Sequence, residues 1–196
     1  MNSAKIKRMA TIGLLMALVV VLQFISGMIP PISGFNISLV LIPIVLGAAL
    51  YGPGAGALLG GTFGVIVFIN CVTGADWGGA MVFQASPVLC FLVVIGKGVL
   101  AGFTCGLVYR LLCSRSPYIA MLLAAIVCPV VNTGVFIACM VTLFNSVIAA
   151  WATAAGADVI TYIFSGLLLC NFVPELIINV AFSPASARIL KVVNRN

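Results

Sequence analysis

Two ionisable side chains, Lys97 and Glu175, lie inside long apolar stretches of this chain. Counted at 1.5 Å per residue, Lys97 is about 15 Å below the start of its stretch at Pro87, and Glu175 is about 24 Å along the last stretch. A charge at the centre of a bilayer costs roughly 2.5–3.5 kcal/mol and usually serves a function. Lys97 therefore either pairs with Glu175, contacts an anionic ligand that arrives from outside, or extends to the membrane interface.

Uncharged polar residues occur beside two prolines of the apolar stretches. Asn132 and Thr133 follow Pro129, and Asn171 precedes Pro174. Proline frees a backbone carbonyl, which a neighbouring polar side chain can satisfy. These side chains either hydrogen-bond between helices or line a polar cavity, so Asn132 and Asn171 are candidate substrate-binding residues.

A polar loop and the segment after it combine an acid, an aromatic ring and an amide, at Asp76, Trp77 and Gln84. Trp77 either anchors in lipid headgroups, as aromatic residues at interfaces do, or covers a small-molecule pocket, where aromatic surface with a few polar groups is the usual lining. With Lys97, Asn132 and Asn171, these three residues form the predicted substrate-binding set.

The sequence does not predict an enzyme. Metal-assisted phosphoryl transfer needs paired acids, whereas the three acids of this chain lie in separate segments. The chain has no histidine, which excludes a Ser–His pair, and its seven cysteines follow no metal-ligand spacing. We expect no catalytic residue, no metal site and no cofactor bound by this chain.

The elements that hold these residues are predicted to be membrane helices. The chain is 64% hydrophobic and 6% charged, with a mean hydropathy of +1.34, and a helix crosses a membrane with about 20 apolar residues. We expect one all-α integral membrane domain over residues 1–196. Pro30 and Pro31 are expected to separate the first helix from the second, and Pro174 is expected to interrupt the last helix. Trp151, in a short external segment, is expected at headgroup level, and a basic tail is expected from residue 183. The six predicted transmembrane helices cover about residues 9–28, 37–51, 55–72, 87–112, 118–144 and 159–182.

The charges are sorted between the two ends of this arrangement. Most of the nine Lys and Arg residues fall at one end, whereas Asp76 and Asp158 fall at the other. Because basic residues resist transfer across the membrane, both termini are predicted to be cytoplasmic. A clustered basic face with aromatic neighbours, as nucleic-acid binding requires, is not evident in the sequence, so no nucleic-acid partner is expected.

Small residues recur at four-residue spacing. Gly56, Gly60 and Gly64 form one stripe, and Gly98, Gly102 and Gly106 form a second. Such stripes let helices approach closely where lipid supplies no hydrophobic drive. We expect them to pack helices within the chain, with a moving contact to a partner as the alternative.

Several features together resemble the substrate-binding S component of energy-coupling factor (ECF) vitamin transporters, over nearly the whole chain. The stretch from Leu41 to Gly56, including Tyr51-Gly52-Pro53-Gly54, is similar to the family's junction between helices 2 and 3. The run that begins Lys97-Gly98-Val99-Leu100-Ala101-Gly102 and continues to Arg110 is similar to its fourth helix. Gly13 and Ala17 match the small-residue pattern early in its first helix.

This resemblance implies a function and partners. An S component captures a water-soluble vitamin from outside, in a pocket formed by outer loops and the outer halves of helices 4 to 6. It works with a membrane coupling subunit and two cytoplasmic ATPases, which use the ATP, and Gly13 and Ala17 would contact the coupling subunit. The absence of a G-x-x-x-x-G-K-[ST] motif fits a subunit whose energy comes from elsewhere. The implied location is the bacterial cytoplasmic membrane, with several crossings.

The substrate and the transport mode have alternatives. The loop Gly74-x-Asp76-x-x-Gly79 and the Asn132-Thr133 pair most resemble members associated with pantothenate, whose carboxylate Lys97 would neutralise. Riboflavin, folate and cobalamin members share the same architecture. A stand-alone small secondary carrier or channel is the rival function, and clear symmetry between the halves, which would support it, is not evident.

Overall fold

The computed structural model describes residues 3–28 and 38–193, and helices fill nearly all of both ranges without any strand. The all-α prediction is confirmed, whereas the break predicted at Pro30 and Pro31 and the start of the second helix lie outside the described residues. The helices are α1 (Ser3–Met28), α2 (Leu41–Tyr51), α3 (Pro53–Thr73), α4 (Trp77–Ala85), α5 (Pro87–Leu112), α6 (Pro117–Leu143), α7 (Asn145–Ala154), α8 (Val159–Tyr162), a π-helical stretch (Ile163–Phe172) and α9 (Val173–Val193).

Within these ranges, five helical stretches are long and apolar enough to cross a membrane, and a shorter apolar helix accompanies them. The five are α1, α3, α5, α6 and the continuous helix from Val159 onwards. The shorter one is α2, whose 11 residues measure about 16 Å, roughly half the thickness of the hydrocarbon core. These helices correspond in position to the six predicted crossings.

The two glycine stripes meet face to face and join α3 to α5. A Cβ atom at Gly56 would overlap the carbonyl of Gly102, and one at Gly60 would overlap the carbonyl of Gly98. Only glycine allows the two backbones to lie this close, as expected for small-residue stripes in membrane helices. The prediction that these stripes pack helices within the chain is confirmed.

The last helix is not interrupted at Pro174, and that prediction is wrong. The chain winds as a π-helix immediately before this proline and continues as α9, and the Val173 N–H donates to the Leu168 carbonyl five residues earlier. Such local π adjustments are one way in which a membrane helix accommodates a proline. The sequence pattern shows the proline but not the change of winding that absorbs it.

The same helix also extends beyond the predicted start of the tail at residue 183. It passes Pro184 and is helical as far as Val193, the last described residue. The Ser183 hydroxyl donates a 2.8 Å hydrogen bond to the Val180 carbonyl, the acceptor that Pro184 leaves open because proline has no N–H. A local side-chain bond therefore allows the helix to continue where the sequence suggested that it stops.

The short helices α4 and α7 contact each other and bury Trp151. Its side chain is 1% exposed, its ring centroid lies 6.5 Å from that of Tyr162, and its Nε1 lies 3.1 Å from Sδ of Met81. The indole therefore packs between helices of the protein and does not anchor in lipid headgroups, whereas its predicted depth at headgroup level stays a prediction.

Aspartates begin two of the helices at the end that carries Asp76 and Asp158. Asp76 accepts a 3.1 Å hydrogen bond from the Gly79 N–H and so caps α4, which assigns residues 80–85 to a helix. Asp158 caps α8 and accepts from both the hydroxyl and the backbone N–H of Thr161. These two bonds, the hydroxyl first, hold the pKa of the exposed Asp158 carboxyl below its ordinary value.

Basic side chains meet tyrosines at the opposite end. The Arg8 guanidinium lies 5.7 Å from the ring centroid of Tyr51, and Nζ of Lys191 lies 4.4 Å from that of Tyr118. Each contact joins helix ends that the charge pattern assigns to one face. The cations stay accessible while their stems cover apolar surface, as amphipathic side chains do at interfaces.

Candidate functional site

A central cavity lies in the half of the helical bundle that carries Asp76 and Asp158. Its walls come from the last turns of α1, the second half of α3, the short helix α4, the first half of α5, the second half of α6, the π-helical stretch and the start of α9. Its polar lining consists of Gln23, Ser26, Ser38, Asn70, Asp76, Lys97, Asn132, Thr133, Asn171 and Glu175.

The cavity has the size of a small polar molecule. It encloses about 90 Å³ open to the centres of water molecules, room for roughly six to nine waters at about 10–15 Å³ each. That number of waters fills on the order of 180–270 Å³ of liquid. Apolar side chains such as Phe63, Val67 and Phe136 complete the wall, which gives the mixed lining that small-molecule sites have.

Lys97 supplies the one lysine or arginine among the described residues that line this cavity. Its Nζ atom lies 4.6 Å from the ring centroid of Phe136 on α6. The ring face attracts the ammonium and holds it toward the cavity, which disfavours extension to the membrane interface.

Glu175 lines the same cavity, although counting along the helix placed it much deeper than Lys97. The π-helical stretch accounts for part of the difference, because i→i+5 winding advances less per residue than an α-helix. Glu175 Oε1 accepts a 3.1 Å hydrogen bond from the Ser38 N–H, and Oε2 has no hydrogen-bond partner among the described residues. The direct ion pair between Glu175 and Lys97 is therefore not formed.

The residues around Ser38 close one side of the cavity through two bonds. The Ser38 N–H reaches Glu175 across 137 positions of sequence, and the Leu39 N–H donates to Oγ of Ser26 on α1 at 3.3 Å. Buried backbone groups outside regular structure need such partners. These bonds fix the chain before α2 to both the first and the last helix.

Several buried polar atoms around the cavity have no hydrogen-bond partner among the described residues. Buried polar groups in proteins are normally hydrogen-bonded, and each exception calls for an explanation. Here every one belongs to a residue that lines the same cavity, so a bound polar molecule or waters would satisfy them together. Among the described residues, these atoms are Gln23 Oε1, Ser38 Oγ, Asn132 Oδ1, Thr133 Oγ1 and Glu175 Oε2.

The structure brings four of the six predicted substrate-binding residues into the cavity: Lys97, Asn132, Asn171 and Asp76. Trp77 lies elsewhere, at the start of α4, and lines a second hollow with Trp151 and Tyr162. Gln84 is exposed near the end of α4 and lies outside the central cavity.

Sequence reasoning overlooked Gln23, Ser26, Ser38 and Asn70, which also line the cavity. A signal existed for the first two: they are polar residues in an apolar helix, and a spacing of three places them on one face. Ser38 carried no such signal, because its role depends on a contact with a distant helix.

The predicted partner contact lies on the outer surface of α1. Gly13 and Ala17 are exposed, and a Cβ atom at Gly13 would meet nothing within 4 Å. Large apolar side chains surround them, with Leu14 70% and Phe24 65% exposed. This face of α1 is open to lipid or to another membrane protein.

A comparison with models of protein families finds a match for this chain. The family model described as "ECF transporter, substrate-specific component" matches residues 7–185, which includes every described residue that lines the central cavity. A comparison with curated proteins finds no match. Because the family match spans most of the chain and the helical architecture agrees with it, this chain belongs to the substrate-specific components of ECF transporters.

Proposed function

We propose that this protein captures a water-soluble vitamin from outside the cell in the central cavity and delivers it inward with an ECF coupling subunit and two ATPases. The family match supports the role of substrate-specific component. The observation that carries the proposal is the group of buried, unpartnered polar atoms around a cavity that also holds Lys97. Unsatisfied groups of this kind are costly in the empty protein, so a polar ligand that pairs with them gains affinity.

Pantothenate is the favoured substrate. It has a carboxylate that Lys97 can neutralise through a charge-assisted hydrogen bond, and its hydroxyl and amide groups suit the oxygens of Asn132, Gln23 and Glu175. Room for roughly six to nine waters, on the order of 180–270 Å³ of liquid, also favours a compact molecule over riboflavin, folate or cobalamin, which are larger. Asp76 and Asn171 would complete the polar contacts from the outer loop and the last helix.

The proposed orientation places the cavity end outside and the basic end in the cytoplasm of a bacterial cell. The sorting of Lys and Arg from Asp76 and Asp158 supports it, as do the contacts that gather Arg8 and Lys191 near tyrosines at helix ends. Gly13 and Ala17 would then meet the coupling subunit within the membrane. ATP is bound by the partner ATPases, and this chain binds no cofactor.

Co-purification and uptake test this proposal. Tagged protein isolated from its own cells in mild detergent is expected to carry a coupling subunit and two ATPases. Liposomes that contain all four proteins are expected to accumulate pantothenate only with internal ATP, and liposomes with this chain alone are expected not to. Uptake by the chain alone would instead identify a stand-alone carrier or channel.

A further inference from the structure

We infer that Glu175 is a ligand-binding residue, and that the cavity selects a molecule with an anionic group for Lys97 and, at its other end, a hydroxyl or amine donor for Glu175. This inference rests on the proposed function and specifies the substrate class of the same site. A ligand must therefore match both residues, because any small anion could neutralise Lys97 alone.

The first step is that the carboxylate of Glu175 is held in place. Its side chain is only 2% exposed, and Oε1 is fixed by the 3.1 Å bond from the Ser38 N–H. The backbone at this position is also tied, because Asn179 Nδ2 donates a 2.9 Å bond to the Glu175 carbonyl. Oε2 therefore has a defined position in the wall of the cavity.

The second step is that Oε2 needs a donor that the described residues do not supply. It is buried without a hydrogen-bond partner, and the nearby cation, Lys97, lies over the ring of Phe136 instead. An ionised carboxylate has only acceptor atoms. An amide can rotate to present its N–H₂ donor instead of its oxygen. A carboxylate cannot, so Glu175 does not pair with an acceptor atom of a ligand.

The third step concerns the balance of charge. Lys97 and Glu175 together add no net charge to the cavity, and Asp76 in the same lining adds a second carboxylate. A simple anion would therefore gain from Lys97 but be repelled by both acids. A molecule with a carboxylate at one end and hydroxyl or amine donors at the other satisfies both residues. A hydroxylated carboxylic acid such as pantothenate has this arrangement, whereas an uncharged ring compound does not.

The test uses two probes that differ only in donors. Pantothenate carries two hydroxyl groups, and 3,3-dimethylbutanoyl-β-alanine keeps its carboxylate, amide and carbon skeleton without them. Their affinities are measured by calorimetry for the wild-type protein and for Glu175→Gln. Glutamine can still accept from the Ser38 N–H, but it turns an N–H₂ donor toward the cavity.

We expect Glu175→Gln to weaken pantothenate at least tenfold and to leave the dideoxy probe unchanged or bound more tightly, because the repulsion of its carboxylate is removed. Equal weakening of both probes would mean that Glu175 acts only by holding Ser38, and tighter binding of both would mean that it acts only by charge. Either result would overturn the inference.

Failure of the pantothenate proposal gives a different result. If wild-type protein does not bind pantothenate, a thermal-shift screen of water-soluble vitamins identifies the one that stabilises it. The inference then requires that this vitamin carry both an anionic group and a hydroxyl or amine donor, and that Glu175→Gln abolish most of the shift. A stabilising vitamin without an anionic group, or a shift that the variant retains, would refute the inference, and no shift with any vitamin would refute both proposals.

Discussion

The ammonium of Lys97 lies 4.6 Å from the ring centroid of Phe136, which links the middle of α5 to the second half of α6. This contact holds the cation in a cavity that the buried side chains of Asn132 and Thr133 also line. A cation over an aromatic face is partly stabilised without an ion pair. The ammonium hydrogens therefore remain available to an anionic group that enters the cavity.

Replacement of Lys97 by alanine is expected to lower vitamin affinity more than tenfold without preventing membrane insertion, because a charge-assisted hydrogen bond is lost. Calorimetry on the purified protein measures the affinity, and membrane fractionation measures insertion. Lys191→Ala is the matched control, since its Nζ also lies over a ring, that of Tyr118, at the opposite end. Equal affinities of Lys97→Ala and wild type would remove Lys97 from the site.

Phe136→Leu is expected to weaken binding about two- to thirtyfold, the equivalent of about 0.5–2 kcal/mol for a cation–π contact. The leucine keeps the wall apolar but removes the ring face that positions Lys97. Phe164→Leu is the control, because Phe164 is 64% exposed on the π-helical stretch. Binding by Phe136→Leu as tight as that of Phe164→Leu would show that the ring does not position the cation.

The sequence was sufficient where an interaction depends on spacing along one helix. The stripes that contain Gly60 and Gly98 predicted close helix contact, and the structure joins α3 to α5 through them. Likewise, the rarity of polar residues in apolar stretches singled out Lys97, Asn132 and Asn171, which do line one cavity. Both signals rest on the cost of polar or bulky groups between membrane helices.

The sequence was insufficient where an interaction joins distant segments or changes helix winding. The bond from Ser38 to Glu175 depends on the tertiary arrangement of α2 and α9, and the π winding before Pro174 alters which residues face the cavity. Trp151 was expected to anchor in lipid headgroups because tryptophan is common at membrane interfaces, whereas its side chain packs against Met81 and Tyr162 inside the protein. Such features follow from packing, which local patterns do not encode.

Gly60→Ala is expected to destabilise the protein by about 1–3 kcal/mol, the usual cost of overpacking. The new methyl group would overlap the Gly98 carbonyl, which is backbone and cannot turn aside. Gly96→Ala is the control on α5, because a Cβ atom there meets nothing within 4 Å and alanine favours the helix. Thermal unfolding in detergent measures the stability of both variants. Equal melting temperatures would contradict this packing.

Gly13→Leu is expected to reduce recovery of the coupling subunit at least fivefold while leaving vitamin binding unchanged, because a large side chain prevents close approach of a partner helix. Gly134→Leu serves as the control, since Gly134 is also exposed with open space around it but lies on α6. Pull-down from co-expressing cells measures recovery. Equal recovery with both variants would exclude Gly13 from the partner contact.

Thr161→Val is expected to raise the pKa of Asp158, because the Thr161 hydroxyl contributes most to lowering it. A lowered folded-state pKa stabilises the folded protein above the ordinary pKa of the group, and this stabilisation is lost as the pH falls through the lowered value. Carbon NMR of protein labelled at aspartate follows the titration of Asp158 directly. Thr153→Val, which removes only a bond to Ala149, should leave the Asp158 pKa where it was, and an unchanged value in Thr161→Val would contradict the assignment.

Native mass spectrometry of protein purified without added ligand tests most directly whether the central cavity binds a small water-soluble vitamin. We expect the wild-type protein to release one vitamin molecule per chain that carries a carboxylate, pantothenate being the favoured identity, and Lys97→Ala to be recovered without it. Recovery of the same adduct with Lys97→Ala, or an adduct that is a lipid, would contradict the account.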